Sequence, residues 1–457
     1  VDTVKAHIHD QSLPDSLSTL ASRRVIEALR GQLLVLDQCP HPLENGKIAG
    51  SVINRLVNLQ LANLLSPSLV PVINATGVVV HTNLGRAPLG ETVWNRMREI
   101  ATRYSNLEYD LDEGCRGSRF THLERIMTLL TGAEGCVVVN NNAAAVLLVL
   151  TAFARGREVV IARNELIEIG GSFRLPEIMA QGGARMREVG TTNKVHRRDF
   201  EGAIGEDTGL LMKAHWSNYT IEGFTHEVPR SELVALARES QIPFYEDLGS
   251  GLLEDLHTAG LTGEDRVQQV VAEGVDLVSF SGDKMLGGPQ AGIVLGRKEL
   301  VDRLKKHPLT RALRPDKLTL AGLEATAASY LTGTDRDEIP VMEALFAPAS
   351  VLAPRGEALQ EMLSTIPGVT ATTTPCASRV GGGSLPSATL PSTGVTFQVE
   401  GLSEVDLEKA LRKGEPPILV RSHQGAVLVD VRTLLEGDLE AIAKAMADIA
   451  STQPRHG

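Results

Sequence analysis

Two side chains in this sequence carry charge where the flanking residues read as buried strands. Lys284 follows the apolar run in "VSFSGDKMLGGPQAG" (278–292), and Asp247 closes another in "FYEDLGSG" (244–251). A bare ammonium or carboxylate is expensive to bury, so each must be paired, neutralised or used covalently. Taken singly, Lys284 reads as a surface lysine in a loop and Asp247 as a helix cap. Together, an amine and a carboxylate at neighbouring strand ends fit pyridoxal 5'-phosphate. A lysine forms a Schiff base with its aldehyde, and a carboxylate keeps its pyridine nitrogen protonated so that the ring accepts electrons.

A third stretch, "VVVNNNAAAV" (137–146), runs from a strand into an alanine-rich helix start. Free backbone N–H groups and the helix dipole there suit a phosphate. Asn141 and Asn142 can add side-chain donors, although Asn is also a common helix cap. In chain order the three features are a phosphate site, a ring-nitrogen partner and a Schiff-base lysine. Ser281, three residues before Lys284, is a further candidate phosphate ligand. "KAHWSNYTIEGF" (213–224) brings His215, Ser217 and Asn218 to another strand end. His215 either faces the cofactor ring or its phenolic oxygen, or is an ordinary loop histidine.

Arginines stand beside glycines in "HTNLGRAPLG" (Arg86) and "CRGSRF" (Arg116, Arg119), and Arg311 and Arg314 share "LTRALRPDK". Glycine lets the backbone approach an anion while the guanidinium clamps it. Each alone reads as a surface ion-pair residue; as a group they predict an anionic second substrate.

The elements that must position these groups are legible from periodicity. Seven short apolar runs, "GCVVVN", "EVVIAR", "ARMREVG", "GLLMKAH", "IPFYEDL", "VDLVSFS" and "AGIVLG", are mostly separated by helical composition. That alternation predicts a mostly parallel α/β sheet, whose ligands gather at the strands' carboxyl ends. Before it, "DSLSTLASRRVIEALRGQLLVLD" and "GKIAGSVINRLVNLQLANLL" read as helices. The prolines of "SPSLVPVINATG" mark a boundary near residue 70. After about 330 a small α+β region follows. It holds a helical stretch from 343, strand-like "TGVTFQVEG" and "GAVLVDVRTLL", and a closing helix "DLEAIAKAMADIAS". The Gly/Ser/Pro-rich "RVGGGSLPSATLPSTG" (379–394) reads as a loop. The expected domains are 1–70, 71–330 and 331–457.

With 42% hydrophobic and 22% charged residues, the 457-residue chain has globular composition and length for two or three domains. A net charge of −11 argues against general DNA or other nucleic-acid binding, while leaving room for a local basic groove. No apolar run reaches the length of a membrane span. The N-terminus shows no secretory pattern, so a cytoplasmic protein is expected; starting at Val1 rather than Met leaves room for a short preceding segment. Cys39, Cys115, Cys136 and Cys376 form no CxxC pair or zinc-type cluster, which fits a reducing compartment and no metal site.

Longer motifs narrow the reading. "INATGVVVHTNLGRAPLG", "YSNLEYDLDEGCRGSR", "VVNNNAAAVLL", "RNELIEIGGSFRLPEIM", "EVGTTNKVH", "SNYTIEGF", "DLGSG" and "VSFSGDKMLGGPQAGI" resemble bacterial selenocysteine synthases, the L-seryl-tRNA(Sec) selenium transferases. The likeness spans about residues 15–440. It implies a fold-type-I pyridoxal-phosphate-dependent transferase with a mainly parallel seven-stranded sheet, an N-terminal helical domain that grips tRNA, and a small α+β C-terminal domain. Conversion of L-seryl-tRNA(Sec) to L-selenocysteinyl-tRNA(Sec) is implied, with selenophosphate as donor, through a cofactor-bound aminoacrylyl intermediate, in a ring-shaped homodecamer. Residues matching Arg86, Arg119, Asp283, Arg311 and Arg314 surround the donor in that family. Asp283 there either assists the donor chemistry or orients a guanidinium, and Lys284 carries the cofactor and takes the α-proton.

Residues 1–70 carry six basic and six acidic side chains, so tRNA recognition would lean on shape and a few placed cations. Two other readings remain open at this point: a paralogous pyridoxal-phosphate lyase acting on a small amino acid or amino sugar acid, and a non-catalytic tRNA-binding scaffold.

Overall fold

In a computed structural model, residues 1–5, 14–36, 41, 43–44, 47–170 and 173–452 are described. They divide into two compact units, Val1–Pro71 and Val72–Gly457. Asp10, Asp37, Cys39 and Gly46, which entered the sequence reading, lie outside the described residues.

The first unit holds helices α1 (Asp15–Leu36) and α2 (Gly50–Leu65), which share a small core of Ala21, Val25, Val57 and Leu61. The second predicted helix starts later than its composition suggests. Lys47–Ile48 is instead a short strand paired with Leu43–Glu44.

The second unit is built from β1 (Val78–Val80), β2 (Gly135–Val139), α3 (Asn142–Ala154), β3 (Glu158–Ala162), β4 (Arg185–Val189), β5 (Thr208–Ala214), β6 (Phe244–Gly249), β7 (Leu277–Ser281), β8 (Gly292–Gly296), α4 (Pro308–Leu313), β9 (Val369–Gly381), β10 (Ser384–Val399), β11 (Arg421–His423) and β12 (Ala426–Asp430), with further helices between and after them. The seven apolar runs are the seven strands of one sheet, ordered β4-β3-β5-β6-β7-β8-β2. Neighbours are parallel except at β8, which is antiparallel to both β7 and β2. The inner runs are continuous because both faces are covered; the edge strand β4, largely exposed, is not. Cys136, Val138, Val160 and Ala162 enter one core, while Val137, Val139, Val159 and Ile161 enter the other.

Two antiparallel pairings in succession leave β2 parallel to β7, so β2, β5, β6 and β7 end at the same sheet edge. The register fixes that edge. Val139 lies opposite Gly292, and Gly292 opposite Ser281; Ala214 lies beside Asp247, and Asp247 beside Ser279. The residues that follow these strands are therefore brought together by backbone pairing alone.

The C-terminal sheet has the order β11-β12-β10-β9-β1 and takes its edge strand, β1, from the start of the unit. Here the loop expected over 379–394 is corrected: β9 and β10 form a long antiparallel hairpin through most of it. Pro375 and Pro391 lie where their strands pair on one side only, positions that tolerate a missing N–H. Residues 385–388 bulge out of the hairpin, and only the tip is a turn. The closing helix, Asp438–Ser451, stands as the sequence predicts. Among the described residues no helix is long and apolar enough to cross a membrane.

Candidate active site

Lys284 sits in a tight turn after β7, only 7% exposed. The turn is tied to two other loops: Met285 N–H donates to the Ser250 carbonyl at 3.0 Å, and Ala87 N–H to the Asp283 carbonyl at 3.2 Å. The Lys284 amine forms no hydrogen bond or ion pair with the described residues. Burial pulls it below the usual lysine range; Asp247 opposes that shift and Arg86 adds to it. The contrast with Lys213 is instructive. That lysine, on β5, lies 3.2 Å from Glu165 and 3.4 Å from Glu227. Burial again disfavours its charge, but Glu165, Glu246 and Glu227 outweigh it and hold the ammonium charged. A nucleophilic amine must be neutral, and the surroundings favour that state at Lys284, not at Lys213.

Asp247 is buried at the end of β6, where Asn142 Nδ2 donates to its Oδ1 at 2.7 Å. Burial pushes its carboxyl up, against the Asn142 hydrogen bond and the charge of Lys284. The Asn142 amide, expected as a phosphate donor, uses one of its N–H groups on Asp247. The Asn141 side chain caps α3, its Oδ1 accepting from Ala144 N–H at 2.9 Å. The backbone N–H groups of Asn142 and Ala143 meet no partner among the described residues and are open at the helix start, the kind of place that suits an anion. Ser281 is buried at the end of β7.

His215 follows β5, and its backbone N–H donates to the Asp247 carbonyl at 2.9 Å. Its Nδ1 and the Ser217 hydroxyl are buried without hydrogen-bond partners. Asn218 is committed elsewhere, donating to the Glu168 carbonyl at 2.9 Å.

The residues present fit pyridoxal phosphate. An unpaired buried amine, a buried carboxylate pinned by an amide, open N–H groups at a helix start and orphaned polar atoms on His215 and Ser217 surround one place.

The arginines form two groups. Arg86 Nη1 donates to Asp283 Oδ2 at 2.8 Å, next to Lys284, while Asp283 Oδ1 is buried without a partner. Arg119, Arg314 and Arg116 converge on Glu108, at 2.6, 3.2 and 3.6 Å. Hydrogen bonding from Arg119 is the main cause that holds the Glu108 carboxyl below its usual range. Three guanidiniums on one carboxylate leave an excess of positive charge. A backbone bond from Asn140 N–H to the Leu313 carbonyl, 2.9 Å, ties this group's segment to the start of α3. Arg311, on α4, is exposed and makes no ion pair with the described residues. Glu108 was not singled out from the sequence; a cluster of arginines needing a counter-ion was the available clue.

The hairpin tip is the other omission. Residues 381–383 all have positive φ, a conformation that favours glycine. A Cβ on Gly383 would stand 3.2 Å from Ser217 Cβ and 3.6 Å from Lys284 Nζ. The tip therefore closes on the lysine. Gly383→Ala should cost roughly 1–3 kcal/mol of backbone strain and crowding, read as a lower melting temperature, and should reduce kcat/KM through the displaced tip. Unchanged kinetics would show that the tip is not part of the site.

Comparison with known proteins agrees with this geometry. Residues 72–435 match the family model described as L-seryl-tRNA selenium transferase. The chain belongs to this family. The family relative from Geobacter sulfurreducens is 47% identical over 453 residues, covering 98% of this chain and 96% of the relative. That from Moorella thermoacetica is 53% identical, covering 83% and 81%. Both are named L-seryl-tRNA(Sec) selenium transferase. Membership makes the chain a pyridoxal-phosphate-dependent enzyme. Among solved structures, a D-glucosaminate-6-phosphate ammonia-lyase superposes with a TM-score of 0.60 at 24% identity, covering 86% of this chain and 98% of that one. At that identity the likeness shows the fold, of the type-I pyridoxal-phosphate class, and nothing of the substrate.

Proposed function

We propose that the chain converts L-seryl-tRNA(Sec) to L-selenocysteinyl-tRNA(Sec), with selenophosphate as donor, at the site built on Lys284 and Asp247. The observation that carries this reading is a buried, unpaired Lys284 set between Asp247 and the Arg86–Asp283 pair in a chain of this family. The exchange balances: the serine β-carbon loses its hydroxyl oxygen and gains selenium, and the donor leaves as phosphate.

When bound, pyridoxal phosphate supplies a sink for the electron pair released at the α-carbon. Lys284 Nζ would hold the cofactor covalently and, when free, would be the base that accepts the α-proton. Asp247 keeps a proton on the ring nitrogen, and Asn142 keeps Asp247 in place. The N–H groups of Asn142 and Ala143 bind the cofactor phosphate. Arg86, oriented by Asp283, holds the donor, and Arg119, Arg314 and the exposed Arg311 supply further cations for it. Val1–Pro71 recruits the tRNA, and the enzyme works in the cytoplasm as a homodecamer.

Supplied with seryl-tRNA(Sec) and selenophosphate, the purified protein should leave selenocysteine esterified to the tRNA; unchanged serine would overturn the reading. Arg86→Ala should weaken the donor by roughly tenfold to a hundredfold, the worth of one charge-assisted contact. Loss of the serine hydroxyl should survive better than selenium addition, as followed by product analysis with and without donor. Equal loss of both steps would place Arg86 elsewhere in the reaction.

A further inference from the structure

Beside Lys284 lies a carboxylate that the mechanism above does not use. Glu264 is in the loop between Leu261 and Val267, its side chain 2% exposed; neither carboxylate oxygen makes a well-formed hydrogen bond, and the Ser250 hydroxyl and the Leu385 N–H are the polar groups that approach it besides His215. It lines a cleft of about 600 Å³ together with His215 and the bulged residues 385–388. The cations on that cleft are engaged elsewhere: Lys213 by Glu165 and Glu227, and Arg230 by Glu246, Asp265 and Glu273. The titratable group facing Glu264 is His215, whose Nε2 stands 3.6 Å from Oε2. Apo contacts of this kind tighten when a ligand fills the site. The buried Ser250 hydroxyl, which makes no well-formed hydrogen bond, lies beside the same carboxylate. Burial pushes the Glu264 carboxyl up; the charge of His215, then the approach of the Ser250 hydroxyl and the Leu385 N–H, and last the charge of Lys284 oppose it.

A buried carboxylate that is only loosely satisfied is costly and is retained where it completes something. His215 has two ring nitrogens. One faces Glu264; the other, Nδ1, is buried and free, on a residue whose backbone is bonded to Asp247. The hydrogen bond made by one imidazole nitrogen sets where the proton sits on the ring and how the ring is turned.

We propose that Glu264 is a positioning residue: it holds a proton on His215 Nε2 and fixes the ring, so that Nδ1 is presented to the cofactor or substrate bound over Asp247 and Lys284. The inference rests on the reading that Lys284 and Asp247 hold pyridoxal phosphate. The groups that face His215 and could compete for its proton are Asp247 on β6, Glu264 in its loop and, more remotely, Lys284 in the turn after β7.

The test combines ring spectroscopy on the cofactor-free protein with pyridoxal phosphate affinity. In ¹⁵N-histidine-labelled protein, with His215→Asn used to assign the resonances, His215 should show its proton on Nε2. Glu264→Gln, of the same shape, should lose that bias and raise the Kd for pyridoxal phosphate roughly tenfold. Glu264→Asp, which keeps the charge, should recover part of the affinity. The Glu264→Gln effect should vanish in a His215→Asn background, since a residue that acts only through His215 has nothing left to position. Melting temperatures of all variants check folding; Glu264→Gln keeps the side chain's shape and removes a costly buried charge, so it should not lower them. If His215→Asn raises the Kd while Glu264→Gln changes neither ring nor Kd, the inference fails and the site assignment stands. Additive effects in the double variant also overturn it. If His215→Asn is silent, the placement of His215 at the cofactor fails and the inference falls with it. A normal Lys284-bound cofactor in every variant except Lys284→Ala shows that the underlying reading survives.

Discussion

Replacing Lys284 by alanine should abolish selenocysteine formation without unfolding the protein. The expected fall is about 10³-fold or more, because loss of a positioned base alone costs about 10²–10⁴ and the covalent hold on the cofactor goes with it. Borohydride should no longer fix pyridoxal phosphate to the protein. Stability should move the other way from most core substitutions. The amine is 7% exposed and makes no ion pair with the described residues, so its removal relieves desolvation rather than breaking a contact. The variant should therefore melt no lower than its parent. An active variant with a normal covalent cofactor would refute the assignment.

Asp247→Asn should give the second-largest effect, and a different pattern. The new amide keeps an acceptor where Asn142 donates at 2.7 Å, so the local packing survives. What is lost is the negative charge beneath the ring nitrogen. A charge-assisted hydrogen bond is worth about 1.5–3 kcal/mol, so kcat should fall by tenfold to over a hundredfold. Cofactor affinity should fall less, since Lys284 and the helix start still hold it. The same change has a signature in the cofactor-free protein. Asp247 raises the proton affinity of Lys284 against the larger lowering by burial. With that charge gone the amine loses its proton at lower pH, so its reaction with an amine-selective reagent should set in at lower pH than in the parent. Equal losses of kcat and affinity would mean that Asp247 is a structural cap.

The sequence revealed what short-range patterning controls. The inner strands of the large sheet are covered on both faces, so most appear as short apolar runs, while the edge strand Arg185–Val189 is largely exposed; a residue just after such a run lies at the sheet edge. That logic alone sets Lys284, Asp247, His215 and the asparagine turn at one sheet edge. It failed where partners are distant in sequence. Asn142 reads as a phosphate donor, but its amide reaches Asp247, more than a hundred positions away. Glu108 and Glu264 sit in polar loops with no periodicity to mark them, and only tertiary structure sets them against Arg119 and His215. The glycines of residues 381–383 read correctly as a turn. What could not be read was the hairpin behind them, because Pro375 and Pro391 argue against strands unless one knows that each lies on an unpaired side. The boundary near residue 70 was legible from two prolines. That Val78–Val80 joins the C-terminal sheet was not, since a three-residue strand carries no information about its partner.

The central claim is that one buried amine carries the cofactor. It is tested most directly by reducing the pyridoxal-phosphate-loaded wild-type protein with borohydride, digesting it and locating the modified peptide by mass spectrometry. The account predicts a single pyridoxyl group on Lys284. Modification of Lys213, the buried lysine that Glu165 and Glu227 hold in an ion pair, or of any surface lysine in its place, would contradict it.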